Sequence, residues 1–568
     1  MDSTAAADEA RAAKRARLTP YAAGGDADLI SGLDDDVLLR VLGLVPDASD
    51  AVRTGALSRR WRGLWARVPA LRFASPVSSC GGGAAQRAAL VRYAAFVNGV
   101  LARRSRSGCA IESLSIVYNT TGSKSDEHSL EQQPIMPAPV NPATVLTCPT
   151  VRETEREMQQ LMPACVDAAQ GWIRNAFRYG VKSFFLDLRL PPNFSGEHSG
   201  GGHEILLDGL PSPVTLETMR VALGDARLRV PSTVKFASLV ALSLERIEIA
   251  AGGAHLLGRL VSSASCPCLQ KLCMRMIYLR AFDEEMRLEA DVLSELWMED
   301  VHVVRSLKLR TPSLRVFHIY KCSQEMLTIS APRLEELAIS FQLYPLRWVE
   351  VVNGGLSFVR SLKICLWSHC SCVSCHRDAE NDTNILLLKK CSSLTCLDVT
   401  LYGGLEAFEE DEDMIKSRVP QLPHITSLTV NVSNWFERHD FGAGIASLLT
   451  RFRNLRHLIV HLPIFLSLDY NLREGLDLLC DHQDHWESNE ISMAYLQELE
   501  LTGFTGTECE LWFIKAILTS TKSVSRVAIS FNKDCCQHQD KMDAFEQMLL
   551  GGGMQTSYRD THRLTCLK

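Results

Sequence analysis

The feature that most constrains this chain is a short apolar pattern that recurs along most of its length. Each copy has three apolar residues at positions 1, 4 and 6, as in Leu293-Ser-Glu-Leu296-Trp-Met298. The alternation at its end predicts a strand. Since one such strand cannot bury its apolar side alone, the copies must stack into a shared sheet. They begin at Ile111, Val181, Leu216, Leu239, Leu269, Leu293, Leu314, Leu334, Val359, Leu394, Ile425, Leu455, Leu496 and Val524.

Further short apolar segments lie between the clearest copies. Leu307-Lys-Leu309 and Leu327-Thr-Ile329 are each followed by a proline, at 312 or 332, and predict return strands on the opposite face. The chain is therefore predicted to be an α/β repeat structure with a parallel sheet. An ordinary α/β domain whose strands happen to match the pattern remains the alternative.

The N-terminal residues 28–73 differ from the repeats. Apolar residues recur there at helical spacing after Asp34-Asp35-Asp36, a run that favours a helix start, and Pro46 ends this first helix. A second short helix is predicted over 52–57, and a third carries Trp61 and Trp65 on one face. Three helices this short make a poor core, so the tryptophans must pack on a partner protein or on the next domain.

Two segments carry a family resemblance. Residues 28–38 and 56–65, the latter ending in Leu57-Ser-Arg-Arg-Trp61-Arg-Gly-Leu-Trp65, resemble the F-box of plant proteins. Residues 495–531, with Gly503 and Gly506 in a turn between a strand and a helix, resemble the FBD region found at the C-terminus of many plant F-box/leucine-rich-repeat proteins. One departure is Asp34, where the family usually has proline, and it bears on the strength of adaptor binding.

The resemblance implies a fold and a set of boundaries. We expect a short N-terminal three-helix F-box, then a leucine-rich-repeat solenoid with a parallel sheet, then an FBD-like C-terminal cap. The predicted segments are a disordered tail (1–26), the F-box domain (27–74), a linker and helix (75–104), the leucine-rich-repeat domain (105–490) and the FBD-like region (491–568).

The resemblance also implies a function. The chain is expected to be the substrate-recognition subunit of a Skp-cullin-F-box-type ubiquitin ligase complex. Its F-box would bind a Skp-type adaptor joined to the cullin ligase core, and its repeats would bind an unknown target protein for ubiquitination. Such a subunit is not itself an enzyme, because it acts by holding two other proteins close together. The alternative is a leucine-rich-repeat scaffold or receptor that acts without ubiquitin ligation.

Two binding surfaces follow from these expectations. The F-box resemblance assigns adaptor binding to Leu29, Ile30, Leu33, Val37, Leu38, Pro46, Leu57, Trp61 and Trp65. Packing of these residues against the repeats alone is the competing interpretation, and some of them must pack in this way. In the repeats, strand alternation turns the residues between the inward leucines outward, onto a concave face. It predicts target binding by Lys271, Arg275, Trp297, His318, Tyr320 and Lys363.

The cysteine- and histidine-rich segments invite a metal-site interpretation. Cys372-x-x-Cys375-His376 formally matches a haem-attachment motif, and Cys370, Cys372, Cys375 and a histidine offer ligands suited to zinc. Haem attachment requires export, and the spacing is too tight for the usual paired zinc motifs, so we predict a cysteine-rich loop. Residues 480–485 and 535–538 are interpreted as loops in the same way. No phosphate-binding, zinc-protease or nucleophile motif was found, and we predict no catalytic residue, metal or cofactor.

Composition excludes further classes. The net charge of −6 gives no basic field for nucleic acid. The sequence has no run of about 18 apolar residues, so no membrane span is predicted. No secretory signal is evident at the N-terminus. The 19 cysteines are therefore expected to be reduced thiols. Lys14-Arg15-Ala16-Arg17 fits a short nuclear-import pattern, and the predicted location is the nucleus, the cytoplasm or both.

Overall fold

A computed structural model shows a mixed α/β structure with a large, mostly parallel sheet. The residues that the structure describes are 32–75, 83–119, 149–189, 204–206, 213–229, 235–249, 252–279, 284–302, 304–340, 346, 348–352, 356–368, 377–402, 413–433, 441–462, 491–504, 508–532, 539–560 and 562–568.

The described helices fall into an N-terminal group and a series that connects the strands. They are α1 (Asp35–Leu44), α2 (Ala48–Arg53), α3 (Trp61–Leu64), α4 (Gly83–Arg106), α5 (Pro149–Tyr179), α6 (Gly253–Leu260), α7 (Arg377–Lys390), α8 (Met414–Arg418), α9 (Phe441–Leu449), α10 (Glu508–Ser520) and α11 (Gln539–Gly551), with 3-10 turns at Thr54–Ala56 and Trp65–Arg67.

The described strands follow from β1 near the helical N-terminus to β22 at the C-terminus. They are β1 (Ala70–Ala74), β2 (Ser113–Asn119), β3 (Ser183–Arg189), β4 (Glu204–Leu206), β5 (Thr218–Arg229), β6 (Ala241–Ile249), β7 (Lys271–Leu279), β8 (Glu284–Glu289), β9 (Glu295–His302), β10 (Val304–Arg310), β11 (Val316–Tyr320), β12 (Met326–Ser330), β13 (Glu336–Ser340), β14 (Trp348–Val351), β15 (Ser361–Trp367), β16 (Cys396–Tyr402), β17 (Ser427–Val432), β18 (His457–His461), β19 (Glu498–Phe504), β20 (Arg526–Phe531), β21 (Gln555–Arg559) and β22 (Arg563–Leu567).

The large sheet grows in chain order. Its strands pair in parallel, each with the next sheet strand along the chain, from β1 to β20. The short β4 pairs with the far end of β5. At the C-terminus β22 pairs antiparallel with β20, and β21 antiparallel with β22. The predicted parallel sheet is therefore confirmed.

The structure has a second parallel sheet, and its strands alternate in the sequence with strands of the large sheet. Its order is β8, β10, β12, β14. The two predicted return segments are β10 and β12, and their leucines and isoleucine are buried. Because both sheets contribute to one continuous cluster of buried side chains, the core lies between them. Strand alternation is clear at β9, where Leu296 and Met298 are buried and Trp297 is exposed.

The N-terminal helices are fastened to the first strand of the large sheet. The Asp47 carboxylate accepts a hydrogen bond from the backbone N–H of Ala74 through Oδ2 at 2.8 Å and one from Ser49 through Oδ1 at 2.6 Å. Arg72 of β1 donates from Nη1 to the Gly43 carbonyl at 2.9 Å. The buried Arg104 of α4 donates to the Val68 carbonyl at 2.6 Å. The bonds to Ala74 and from Arg72 join the N-terminal helices to β1, and the Arg104 bond joins α4 to the chain just before β1.

Two sequence expectations differ from the structure. The long α5, which begins at Pro149, was not predicted. The helix expected within 75–104 is α4, which extends to Arg106. Among the described residues, no helix is both long enough and apolar enough to cross a membrane.

Candidate interaction surfaces

The N-terminal helices expose a set of apolar side chains that we call the helical patch. Leu44 is 82% exposed and Leu57 is 70% exposed, in contrast to the buried leucines of the same segment. Val37, Val41 and Leu44 share one face of α1 by their spacing, and an exposed apolar patch is typical of an interaction site. The members of the helical patch are Leu33, Val37, Val41, Leu44 and Leu57.

The predicted adaptor-binding residues divide between this patch and the interior. Leu38 and Trp65 are buried in the chain's own core, and Trp61 is half-buried against it. Pro46 is exposed. Leu29 and Ile30 lie outside the described residues. Leu38 and Trp65 are therefore core residues, and Leu33, Val37, Pro46 and Leu57 are the predicted residues with exposed side chains that a partner can reach.

Sequence reasoning did not assign Val41 and Leu44 to this surface. The signal was present, because Val37, Val41 and Leu44 recur at the i, i+4, i+7 spacing of one helix face. Leu38 and Leu42 recur in the same helix on its other side and are buried. The pattern identifies two apolar faces on α1, and only the packing of the sheet shows which face is covered.

The start of α1 is held by an arginine rather than by a capping side chain. Asp34 occupies the N-cap position and makes no side-chain capping bond. Instead Arg60 donates to the Leu33 carbonyl and, from Nε, to Asp35 Oδ1 at 2.9 Å. Arg67 donates to the other oxygen, Asp35 Oδ2, at 3.2 Å. Asp34 stands where the family usually has proline, and next to it Arg60 and Arg67, on either side of α3, hold the start of α1 through Leu33 and Asp35.

The second surface is the side of the large sheet that points away from the core, which we call the outer face. The register places one residue from each strand in a continuous row across it. All six residues predicted to bind the target project onto this face from β7, β9, β11 and β15. The central row runs through Phe185, Arg220, Ser243, Cys273, Trp297, His318, Ala338, Lys363 and Asp398.

An aromatic pair lies in the middle of this row. The rings of Trp297 and His318 have centroids 3.9 Å apart, and His318 Nε2 is 2.6 Å from Glu336 Oε1. Burial lowers the pKa of His318, with a smaller contribution from Lys363, and outweighs the opposing effect of Glu336. The imidazole is therefore neutral at physiological pH and contributes a flat, weakly polar surface beside the indole.

Cross-strand ion pairs flank the aromatic pair. Lys271 Nζ is 2.8 Å from Glu295 Oε1, and Arg275 Nε is 3.1 Å from Glu299 Oε2. Further along, Lys363 Nζ is 3.1 Å from an Asp398 carboxylate oxygen. Such solvent-exposed pairs contribute little to stability. They remain available for exchange with charges on a partner.

A shallow groove of about 300 Å³ crosses the outer face from β3 to β9. It runs perpendicular to the strands, with Phe185 at one end and Trp297 at the other. The outward side chains that line it are Ser183, Phe185, Thr218, Arg220, Ala241, Ser243, Lys271, Cys273, Glu295 and Trp297. Of the predicted target-binding residues, the groove brings together Lys271 and Trp297, and Arg220 is a member that sequence reasoning did not select.

Comparison with known proteins gives short matches. A stretch of 46 residues is 54% identical to a putative FBD-associated F-box protein of Arabidopsis thaliana, and covers 8% of this chain and 11% of that protein. A stretch of 58 residues is 47% identical to an Arabidopsis F-box/FBD/LRR-repeat protein, and covers 10% and 11%. F-box/LRR-repeat protein 25 of Arabidopsis is 40% identical over 47 residues, or 8% and 18%. No protein-family model matches the chain.

This chain is similar to plant F-box/FBD/LRR-repeat proteins. The resemblance inferred from the sequence is confirmed over those stretches of 46 to 58 residues. Because the matches span about a tenth to a fifth of each relative, they identify a shared module and not a shared whole protein.

The described part of this F-box-like chain contains no group of three or more metal-ligating side chains arranged around a point. The three cysteine–histidine segments considered above lie outside the described residues. Burial raises the pKa of the Cys165, Cys266, Cys322, Cys365 and Cys391 thiols to about 12, so these thiols stay protonated and unreactive.

Proposed function

We propose that this chain is the substrate-recognition subunit of a Skp-cullin-F-box-type ubiquitin ligase. The observation that carries the proposal is the helical patch, which exposes five apolar side chains on the segment that resembles an F-box. A Skp-type adaptor joined to a cullin core would cover the patch. Full burial of a leucine side chain stabilises an interface by about 1.5–3 kcal/mol.

The finer description of the fold belongs to the same proposal. In it, α1 to α3 form the F-box, and the strands that pair in chain order, with return elements beneath them, form a leucine-rich-repeat solenoid. The antiparallel β21 and β22, with α10 and α11, form an FBD-like cap at the last edge of the sheet. The domain boundaries given above remain predictions on this basis.

The mechanism is tethering. The outer face would hold a target protein while the helical patch holds the adaptor, so that target and ubiquitin-charged enzyme meet at high effective concentration. No side chain of this chain takes part in bond formation. The nucleus, the cytoplasm or both are the proposed location, in keeping with the basic run Lys14–Arg17.

The first test is co-purification with a purified Skp-type adaptor. The double variant Leu44→Asp, Leu57→Asp removes two exposed leucines and places charge in the interface. We expect at least a 100-fold loss of affinity, since two buried leucines contribute about 3–6 kcal/mol. Phe358→Asp is the matched control, because Phe358 is also largely exposed but lies far along the chain in the turn before β15.

The result separates the two candidate functions. If the unchanged chain fails to bind the adaptor, ubiquitin-ligase function is excluded and the alternative of a leucine-rich-repeat scaffold stands. If the double variant binds as well as the unchanged chain, the helical patch is not the adaptor site. Because both leucines are exposed, their replacement leaves the core intact, which a thermal melt of each variant checks.

A further inference from the structure

We propose that the groove on the outer face binds an extended acidic peptide segment of a partner protein, with a large apolar side chain on Trp297 and a carboxylate on Arg220. This inference deepens the proposed function by naming the chemistry of the target segment, and it rests on that function only in calling the partner a target.

The shape of the groove fits a peptide rather than a folded surface. Its floor is made of the small side chains of Ser183, Thr218, Ala241, Ser243 and Cys273, which leave room above the strands. Phe185 and Trp297 are the large aromatic side chains at its two ends. A volume of about 300 Å³ accommodates a few side chains of a chain that lies across the strands, and a flat partner would leave it empty.

The charges of the groove favour an acidic occupant. In the two ion pairs at the groove, the cation is the more exposed partner. The Arg220 side chain is 51% exposed against 23% for Glu245, and Lys271 is 58% exposed against 33% for Glu295. An approaching peptide therefore has readier access to the Arg220 guanidinium and the Lys271 ammonium group than to the less exposed carboxylates of Glu245 and Glu295.

The Arg220 guanidinium is oriented by its neighbours and has N–H donors for a further carboxylate. Its guanidinium lies 5.3 Å from the centre of the Phe185 ring, a cation–π contact that fixes its plane. Within the described part of the chain, Nη2 is the guanidinium nitrogen that bonds to Glu245, at 3.1 Å. The planar guanidinium carries five N–H donors and matches carboxylate geometry well.

The distance between Arg220 and Trp297 predicts how far apart the acidic and the apolar residues lie in the peptide. Arg220 and Trp297 belong to the same row, with Ser243 and Cys273 between them, so they are three strand intervals apart. At about 4.8 Å per interval this is about 14 Å, the length of about four residues of extended chain. Lys271 lies one strand from Trp297 and offers a second cation close to the apolar end.

The test is selection from a random dodecapeptide phage library on the purified full-length chain. We expect enriched peptides to carry an aspartate or glutamate three to five positions from a phenylalanine, leucine, methionine or tryptophan. A synthetic copy of the best peptide should lose at least tenfold in affinity for the variants Trp297→Ala and Arg220→Ser. Exchange of its acidic residue for the amide should cause the same loss.

Matched controls come from the rest of the chain. Trp348 of β14 is an exposed tryptophan on the second sheet, and Arg315 is an exposed arginine paired with Glu335. Trp348→Ala and Arg315→Ser should leave peptide binding unchanged. No enrichment, enrichment of peptides without acidic residues, or equal losses in the control variants would each overturn the proposal.

The selection uses no adaptor, so the two proposals fail separately. Loss of adaptor binding with retained peptide selection would reject the ligase function and keep the groove. Adaptor binding without peptide selection would reject the groove and keep the ligase function. Unchanged adaptor binding by Trp297→Ala and Arg220→Ser also shows that both variants fold.

Discussion

At the start of α7 the carboxyl group of Glu380 is buried, although glutamate is rarely found inside a protein without a charged partner. Trp367 donates from its indole Nε1 to Glu380 Oε2 at 3.0 Å. Desolvation outweighs this hydrogen bond and raises the pKa of Glu380 from 4.5 to about 7. The folded chain therefore holds a proton on this residue under conditions where the unfolded chain has lost it.

This raised pKa predicts how stability varies with pH. Since the folded pKa exceeds the unfolded one, the contribution is complete below pH 4.5 and is lost as pH rises through about 7. At 1.36 kcal/mol per pKa unit the change is about 3 kcal/mol. Urea unfolding of the Glu380→Gln variant at pH 5 and pH 8 should lack this change.

The exposed Glu217 supplies the control for that measurement. Glu217→Gln should keep the pH dependence of the unchanged chain, because it replaces an exposed side chain and leaves Glu380 in place. An equal pH dependence for the unchanged chain and for Glu380→Gln would show that Glu380 ionises normally. The difference between the two pH values is the quantity to compare, since the amide itself alters packing at every pH.

Single residues also show the limit of sequence reasoning at the F-box-like segment. The sequence identified Asp34 as unusual but gave no sign that Arg60 would reach the Leu33 carbonyl and the Asp35 carboxylate. These groups are more than 20 residues apart in the chain and meet only after α1 and α3 have packed. Contacts of this kind depend on tertiary structure, which a local pattern does not contain.

Among the elements, β19 combines a strand with a glycine turn. Its pairing with β20 shifts between Thr502 and Phe504, and the residue between them, Gly503, has φ = +80°. A Cβ atom there would lie 2.4 Å from the Leu462 carbonyl oxygen. The sequence places Gly503 in a turn after a strand, and the structure shows that both its backbone conformation and its close packing require glycine there.

We therefore expect Gly503→Ala to lower the free energy of unfolding by about 2 kcal/mol or more. Left-handed backbone costs alanine about 1–2 kcal/mol, and the clash with a carbonyl oxygen adds to this. Gly551→Ala at the end of α11 is the control, because its Cβ would meet open space. Urea unfolding that gives the same midpoint for both variants would contradict this account.

The elements that sequence reasoning missed have a physical explanation. Strands of the repeat were predictable because their apolar residues alternate and recur. Helix α5 was not, since Pro163 lies inside it and proline usually ends a helix. Trp172 and Phe177 are buried and supply the packing that maintains the helix after this proline.

At the scale of the whole molecule, the arrangement of two surfaces depends on how the helices join the sheet. The sequence predicted both apolar helices and outward sheet residues, and it placed Lys271, Trp297 and Lys363 on the correct face. It also assigned Leu38 and Trp65 to the partner surface, whereas the structure buries both side chains in the chain's own core. Which apolar face of a helix stays exposed depends on tertiary packing, because the rest of the fold determines which face is buried.

Asp47 is the residue at this junction whose loss we expect to loosen it. Asp47→Ala removes the acceptor for the backbone N–H groups of Ala74 and Ser49. We expect a loss of about 2 kcal/mol, because a lost helix cap and a lost hydrogen bond each cost about 1 kcal/mol. The amide of Ala74 should exchange with deuterium faster, while amides of β15 and β16 keep their rates.

The neighbouring Asp50 distinguishes this junction from general surface electrostatics. Asp50 accepts a hydrogen bond from Arg53 at 2.8 Å within α2, and both side chains are exposed. Asp50→Ala should change stability by less than about 1 kcal/mol and leave the Ala74 amide unchanged, since exposed ion pairs contribute little. If Ala74 exchanges equally slowly in Asp47→Ala, the Asp47 carboxylate is not what holds the helices to β1, and the Arg72 hydrogen bond and apolar packing suffice. If it exchanges faster, the Asp47 carboxylate couples the helices that carry the helical patch to the first strand of the large sheet.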